Sequence, residues 1–318
     1  MNPPEVSIAA VIGAGTMGAG IAGELARTGC RVRLLDADPA ALDRGLARME
    51  SGLTALVTAG LVPAEEAEAA RGRVAPVIDL ARACDGVQLL VEAVREDLAI
   101  KEEIFAEFDR LCPADAILTS NTSGLSITRI AAATGRPAQV AGLHFWNPPH
   151  LIPLVEVTQG EQTTEATAES LLALARRMGK RPIRVRHDVP GFVGNRLQFA
   201  VLREALHLLT SGVASAEDID TAMTAGPGLR YGLLGPLRTA DLAGLDVFLA
   251  ISRYLFKDLS SASEPPALLA ELVAAGHLGA KAGQGFYQYQ TDELQRQIAQ
   301  RDRVLLGFLE VLQREGSR

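Results

Sequence analysis

The sequence predicts an α/β chain: a doubly wound sheet in the first half and an all-α second half. Three observations predict this. Val6–Ile12 is a buried-type apolar run, VSIAAVI; the glycine-rich stretch Gly13-Ala14-Gly15-Thr16-Met17-Gly18 follows at once; then Ile21, Ala22, Leu25 and Ala26 keep helical spacing up to Gly29. Further short apolar runs, Arg31–Leu35, Val87–Val91, Ala116–Thr119, Val140–Leu143 and Pro182–Arg186, are separated by helical patterns. After Asp188-Val189-Pro190-Gly191 strand alternation stops. The expected organisation is a nucleotide-binding domain over 1–189 and a helical domain over 190–318.

The glycines have separate tasks. Gly13 permits a tight turn, Gly15 lets a pyrophosphate approach the backbone, and Gly18 lets helix and strand pack closely. The helix N-terminus then faces the phosphates, so Gly13, Gly15, Thr16, Met17 and Gly18 are candidate cofactor contacts. Asp36 closes the next strand, where it would accept hydrogen bonds from ribose hydroxyls and repel a 2′-phosphate; no arginine directly follows it, which favours NAD over NADP. Together these are the Rossmann fingerprint in its strand–helix–strand context.

Pro39 to about Gly72 reads as a helical pair, with a stripe at Leu42, Leu46 and Met49 and a turn at Gly60-Leu61-Val62-Pro63. The Val87–Val91 strand ends in Glu92-Ala93-Val94-Arg95-Glu96-Asp97, and a helix from Leu98 carries Lys101, Ile104, Phe105 and Phe108. Ligands sit at the C-terminal ends of such strands, which brings Glu96 and Lys101 near the cofactor rim. Ser120-Asn121-Thr122-Ser123-Gly124 is a small polar tract that can approach a ligand or cap a helix. Glu165–Met178 reads as a helix.

Gly142 to Val157, GLHFWNPPHLIPLVEV, carries the chemistry. His144 ends one apolar run and can exchange a proton near neutral pH. Glu156 lies among Leu154, Val155 and Val157, where an unpartnered carboxylate would be costly to bury. The expectation is that Glu156 faces His144, holds one ring nitrogen and leaves the other for substrate.

The net charge of −7 gives no general basic surface for nucleic acid or an anionic membrane. No apolar run reaches transmembrane length. No targeting peptide is expected in MNPPEV. The three separate cysteines, Cys30, Cys84 and Cys112, fit reduced thiols and a cytoplasmic protein. His187, His207 and His277 have no partner spacing, and no metal site is expected.

In the second half, Phe192 to Thr210 is a long helical pattern, Ser215-Ala216-Glu217-Asp218 a capping box, Gly226-Pro227-Gly228 a break, and helix is expected again over Pro236–Leu255 and Pro266–Ala275. Lys281 to Tyr287 reads as a loop with an aromatic anchor. The tail from Thr291 carries Leu294, Ile298, Leu305, Phe308, Leu309 and Leu312 on one face, for its own domain or a partner chain. The apolar faces exceed what one small bundle needs, which suggests a homodimer.

Ile12 to Gly18, Ser120-Asn121-Thr122-Ser123, Gly142-Leu143-His144-Phe145, Asn147-Pro148, Leu154 to Val157, Pro190 to Val193 and Asn195-Arg196 stand in the order of the signatures of 3-hydroxyacyl-CoA dehydrogenases. The chain resembles that family over nearly its whole length. The resemblance implies a Rossmann domain, a helical dimerisation domain, NAD as oxidant and a place in fatty acid metabolism. It implies His144 as general base, Glu156 as its orienting partner, and Ser123 and Asn195 at the substrate oxygen. It also implies cofactor contacts from Asp36, Glu96, Lys101, Asn121, Ser123, Asn147 and Lys281. Three departures concern the substrate. The lysine that CoA-using members place after the second strand is missing; Arg44, Arg48, Arg71 and Arg73 occupy that stretch. Trp146, Pro149 and His150 replace a smaller loop. Gly228-Leu229-Arg230-Tyr231-Gly232 is read as an extended turn, like that of relatives oxidising free hydroxy acids, with Arg230 able to pair a carboxylate. A 3-hydroxyacyl-CoA is the leading substrate expectation. A free 3-hydroxy acid or small cyclic alcohol is the alternative, with Trp146, His150 and Arg230 as substrate contacts, and a non-catalytic NAD-binding crystallin-like protein is the remote one.

Overall fold

The computed structural model describes residues 6–316. The elements, in order, are β1 (Ile8–Ile12), α1 (Thr16–Arg27), β2 (Arg31–Leu35), α2 (Pro39–Thr58), α3 (Ala64–Arg73), β3 (Val74–Val77), α4 (Leu80–Cys84), β4 (Leu89–Glu92), α5 (Leu98–Leu111), β5 (Ile117–Ser120), α6 (Ile127–Ala132), β6 (Val140–Phe145), β7 (Leu154–Gln159), α7 (Glu165–Arg177) and β8 (Arg181–Val185). They are followed by α8 (Gly194–Thr210), α9 (Ala216–Ala225), α10 (Pro227–Ala243), α11 (Leu245–Leu255), α12 (Ala267–Ala274) and α13 (Thr291–Gly316). Two compact units result: one runs to Asn195 and takes in the segment from Ala299 onward, the other spans Arg196–Ile298.

The first unit is an eight-stranded sheet in the order β3-β2-β1-β4-β5-β6-β7-β8. β1 lies parallel to both β2 and β4, so the chain reverses direction of winding there, and a crevice opens at the C-terminal strand ends. Pairing stays parallel to β6; β7 is antiparallel to β6, and β8 is parallel to β7. The central strands are buried on both faces, which is why they read as continuous apolar runs rather than alternating ones. One face gathers Val11, Ile21, Leu25, Leu34, Leu53, Leu143, Val157 and Leu171. The other gathers Ile12, Leu90, Phe105, Phe108, Leu118, Ile130 and Phe192. Phe105 and Phe108 meet with ring centroids 5.3 Å apart, a tilted aromatic pair at the heart of that second layer. Helix starts follow local chemistry: Asp38, Asp97, Ser126 and Thr164 accept backbone N–H groups at the starts of α2, α5, α6 and α7.

Three expectations are corrected. β3 is a strand that the sequence did not announce; it pairs with β2 alone at the sheet edge, where Pro76 costs no ladder bond. Gly228 to Gly232 is not a turn but part of α10, which starts at Pro227 and kinks at Gly235, at φ 74°, just before Pro236. The segment from Ala299 onward clusters with the sheet unit rather than with the helical one, because Leu306 packs on one of that unit's two hydrophobic layers and the Arg181 guanidinium donates to Leu312 O at 3.4 Å.

The second unit is helical. Ser215 accepts from Asp218 N–H at the start of α9, as its capping box predicts. Tyr287 donates to the Asp220 carboxylate at 2.7 Å, and that bond pushes the phenol up to about 12. Among the described residues of this unit only Leu206 and Thr239 are buried.

The glycine motif yields a direct test. A Cβ at Gly18 would sit 1.8 Å from Gly13 O, a backbone atom with nowhere to go. Gly18→Ala is expected to cost roughly 1–3 kcal/mol of stability and to abolish NAD binding, read by urea unfolding and by titration calorimetry. A variant that binds NAD like the wild type contradicts this account of the turn.

Candidate active site

The register of β6 on β7 makes the site. His144 and Glu156, 12 residues apart in sequence, are direct cross-strand partners. His144 Nδ1 lies 2.8 Å from Glu156 Oε2, with both residues buried. Glu156 Oε2 also accepts the indole N–H of Trp146 at 3.2 Å. Glu156 Oε1 accepts Val193 N–H at 3.1 Å and Gly194 N–H at 2.9 Å, at the start of α8. Phe192, just before, adopts the left-handed conformation at φ 49° and is fully buried. That turn aims two successive N–H groups at one carboxylate oxygen, and the positive end of α8 adds to their effect. Burial pushes the Glu156 carboxyl up, but the His144 bond and the Gly194 and Val193 N–H groups outweigh it and hold the carboxyl below its usual range. A charged partner on Nδ1 fixes the imidazole tautomer and leaves Nε2 as the nitrogen that can exchange a proton.

A second buried acid supports the neighbouring loop. Glu92, at the end of β4, is fully buried. It accepts from Lys101 Nζ at 2.6 Å, Ser120 Oγ at 2.6 Å and Val94 N–H at 2.7 Å. Lys101 also reaches Glu96 at 3.4 Å. Glu96 in turn accepts the Thr122 hydroxyl at 2.5 Å and Ser123 N–H at 2.9 Å. Asn195 Nδ2 donates to Ser123 O at 2.6 Å. Ser123 is thus gripped at both backbone ends and remains exposed. Asn121 Oδ1 accepts Phe145 N–H at 2.8 Å and so ties the end of β5 to the end of β6.

The sequence assigned Lys101 to the cofactor directly. The structure places its ammonium inside, 1% exposed and paired with Glu92, because a carboxylate buried in the sheet needs a cation. His150, a candidate substrate contact, instead packs on α2, where a Cβ at Gly52 would lie 3.3 Å from its Nδ1; burial lowers its proton affinity. Asn147 is exposed on the connection between β6 and β7, next to the cis Asn147–Pro148 bond. Lys281 and Arg230 lie exposed on the second unit. Sequence reasoning missed Glu92 as a hub and Trp146 as a donor. An acid inside an otherwise apolar strand, the feature that singled out Glu156, was the available signal for Glu92.

The nucleotide end fits NAD. The α1 N-terminus carries no side-chain cap and no acid in its first turn, so its N–H groups remain for an anion. A Cβ at Gly15 would meet nothing within 4 Å, leaving open space over that N-terminus, whereas one at Gly13 would lie 2.6 Å from Ala93 O. Asp36 Oδ2 accepts Ala14 N–H at 2.9 Å, which fixes its carboxylate at the end of β2 beside the glycine turn.

These features are those of an NAD-dependent hydroxy-compound oxidoreductase. The 3-hydroxyacyl-CoA dehydrogenase NAD binding domain matches residues 8–189 and the C-terminal domain of the same family matches residues 191–289; the chain belongs to that family. It is 36% identical to a 5-formyl-3-hydroxy-2-methylpyridine 4-carboxylate 5-dehydrogenase of Mesorhizobium japonicum, over 96% of this chain and 97% of that one. It is 41% identical to a probable 3-hydroxybutyryl-CoA dehydrogenase of Bacillus subtilis, over 90% and 98%. A crystal structure of the pyridine carboxylate enzyme superposes with a TM-score of 0.91 at 36% identity, covering 97% of this chain and 99% of that one. The structure of FadB2 from M. tuberculosis gives 0.76 at 40% identity, covering 90% and 100%.

Two outcomes test the pair. His144→Gln is expected to lower kcat by roughly 10²–10⁴ while calorimetric NAD affinity stays at the wild-type value. For Glu156 the folded carboxyl is held low, so its stabilising effect is whole above the ordinary glutamate range, about pH 4.3, and is lost as pH falls through the folded value. Glu156→Gln should therefore flatten the acid side of the stability profile, measured as urea midpoints from about pH 7 down to about pH 3; an unchanged acid slope contradicts the assignment.

Proposed function

We propose that this NAD-dependent oxidoreductase acts on a small free substrate carrying a carboxylate, a hydroxy acid or cyclic carbinol, rather than on a CoA thioester. The observation that carries the reading is the state of the arginines between Arg44 and Val74. Arg71 is held by Glu50 and Glu68, Arg73 donates to Ala26 O at 3.3 Å, and Arg44 lies 3.4 Å from Asp38. A polyanion such as coenzyme A needs clustered, uncommitted cations. Three of these four are already engaged, and Glu50 adds negative charge among them. The match over almost all of both chains to an enzyme named for a pyridine 4-carboxylate supports the same reading. The 41% identity to the Bacillus relative favours the second reading, a 3-hydroxyacyl-CoA.

On either reading the protein groups work alike. Bound NAD supplies the hydride acceptor. His144 Nε2 takes the hydroxyl proton, and Glu156 stabilises the imidazolium that forms. Ser123 and Asn195 hold the substrate oxygen as it becomes a carbonyl. In the reverse direction His144 returns the proton. The cytoplasm is the proposed location, in keeping with three buried cysteines in thiol form.

A homodimer through the helical unit is part of the proposal. Along α11, Val247, Phe248, Leu249, Ile251, Tyr254 and Leu255 are exposed, an apolar surface too continuous for a lone soluble chain. A second copy is the occupant that needs no other protein.

The substrate test offers NADH with acetoacetyl-CoA, and NAD with free 3-hydroxy acids and with pyridine carbinols bearing a carboxylate, following nicotinamide absorbance. Turnover on free acids or carbinols is the expected result; turnover on CoA thioesters alone overturns the proposal in favour of the second reading. Light scattering should give the mass of two chains, and a single-chain mass sinks the dimer.

A further inference from the structure

Trp146 is the single tryptophan of the chain and stands two residues beyond the base. Its indole N–H is 3.2 Å from Glu156 Oε2, the same oxygen that His144 Nδ1 approaches to 2.8 Å. The indole and imidazole rings lie 5.5 Å apart, tilted by 52°. A methyl group built at Gly194 would fall 2.3 Å from Trp146 Cζ2. Gly194 thus does two things: its N–H holds Glu156 Oε1, and its missing side chain makes room for the indole on Oε2.

We propose that Trp146 is a positioning residue that sets the proton affinity of the His144–Glu156 pair by sharing Glu156 Oε2. An acceptor oxygen with two donors divides its charge between them. The indole N–H is neutral and does not titrate, so it takes its share at every working pH. What is left for the imidazolium is smaller than an unshared oxygen would give. The carboxylate charge that faces Nδ1 is therefore smaller than in a dyad without the indole. Glu156 is the titratable group facing His144 across the strands; from the α8 side Phe192, 5.9 Å from the imidazole ring, is apolar, and Val193 and Gly194 contribute backbone N–H groups to Oε1. No other charged side chain forms a hydrogen bond or ion pair with either member among the described residues. The indole bond also restrains the Glu156 carboxylate, whose other oxygen is held by the N–H groups at the α8 start.

The inference rests on His144 as the base, and the two are separable. A lone tryptophan allows its global replacement by β-(3-benzothienyl)alanine, in which sulfur replaces the N–H and the shape is kept. The His144 resonance, with histidines ¹³C-labelled at Cε1, is assigned by its loss in His144→Gln and then titrated by NMR without any substrate. The benzothienyl protein is expected to titrate higher by about half a pH unit, and 4-fluorotryptophan, which keeps the N–H, should return the wild-type curve. Superimposable benzothienyl and wild-type titrations overturn the proposal while leaving the base reading intact. Wild-type turnover by His144→Gln overturns the base reading, and the role of Trp146 with it.

Discussion

A carboxylate buried to zero exposure is the constraint that orders this structure. An ion of that kind is tolerable only when its lone pairs are taken up by donors. Glu156 obtains four, from three places: the imidazole across the strand, the indole on the connection between β6 and β7, and two N–H groups entering α8. Each makes a demand on the chain. The cross-strand partner requires the observed register, since a slip by one residue would turn Glu156 to the other face and set a valine against His144. The two N–H groups require Phe192 in a conformation that non-glycine residues seldom adopt. The strain held there is the kind that persists only where surrounding structure over-determines it.

The Glu92 network repeats the same physics at the neighbouring strand end. There the cation is Lys101, and what it stabilises is the loop carrying Ser123 rather than a base. The two acids divide the work: Glu156 holds His144, and Glu92, through Lys101 and Glu96, stiffens the segment that carries Ser123. Asn195 closes the arrangement by bonding Ser123 O from the position directly after Gly194, whose N–H holds Glu156. Both networks therefore depend on how the chain leaves β8 and enters α8.

Much of this was legible in the sequence, and what was not failed for specific reasons. The glycine turn, Asp36 and the central buried strands follow from local rules, because tight turns and buried strands leave short-range patterns. The His144–Glu156 pair was legible because one unpaired acid in an apolar run has few affordable solutions. Glu92 obeys the same rule, but it stands at the strand end in a run with Arg95, Glu96 and Asp97 and received no role, and Lys101 was assigned to the cofactor when it points in. β3 is hidden by its proline, which only an edge position permits. The helix through Arg230 is hidden by Gly226, Pro227 and Gly228, which break one helix and start another at the same place. The indole bond of Trp146 has no sequence signature, since nothing in the run HFWNPPH says where the connection folds back.

The departures from the family pattern fall outside the redox centre, with one exception. The arginines on α2 and α3 bear, on the proposed reading, on what can bind, and their bonds go to their own neighbours rather than to the dyad, which bears on how a proton moves. Trp146 touches both. It sits on the connection between β6 and β7, and its donor ends on the partner of His144. A substitution there cannot alter the substrate side alone, because the carboxylate charge taken by the indole is charge withheld from the imidazolium. A substrate whose carbonyl needs a readier proton donor and a substrate of different shape are then served by the same residue. Gly194, which cannot accept even a methyl group against the indole, shows that the α8 entrance has been fitted to that one side chain.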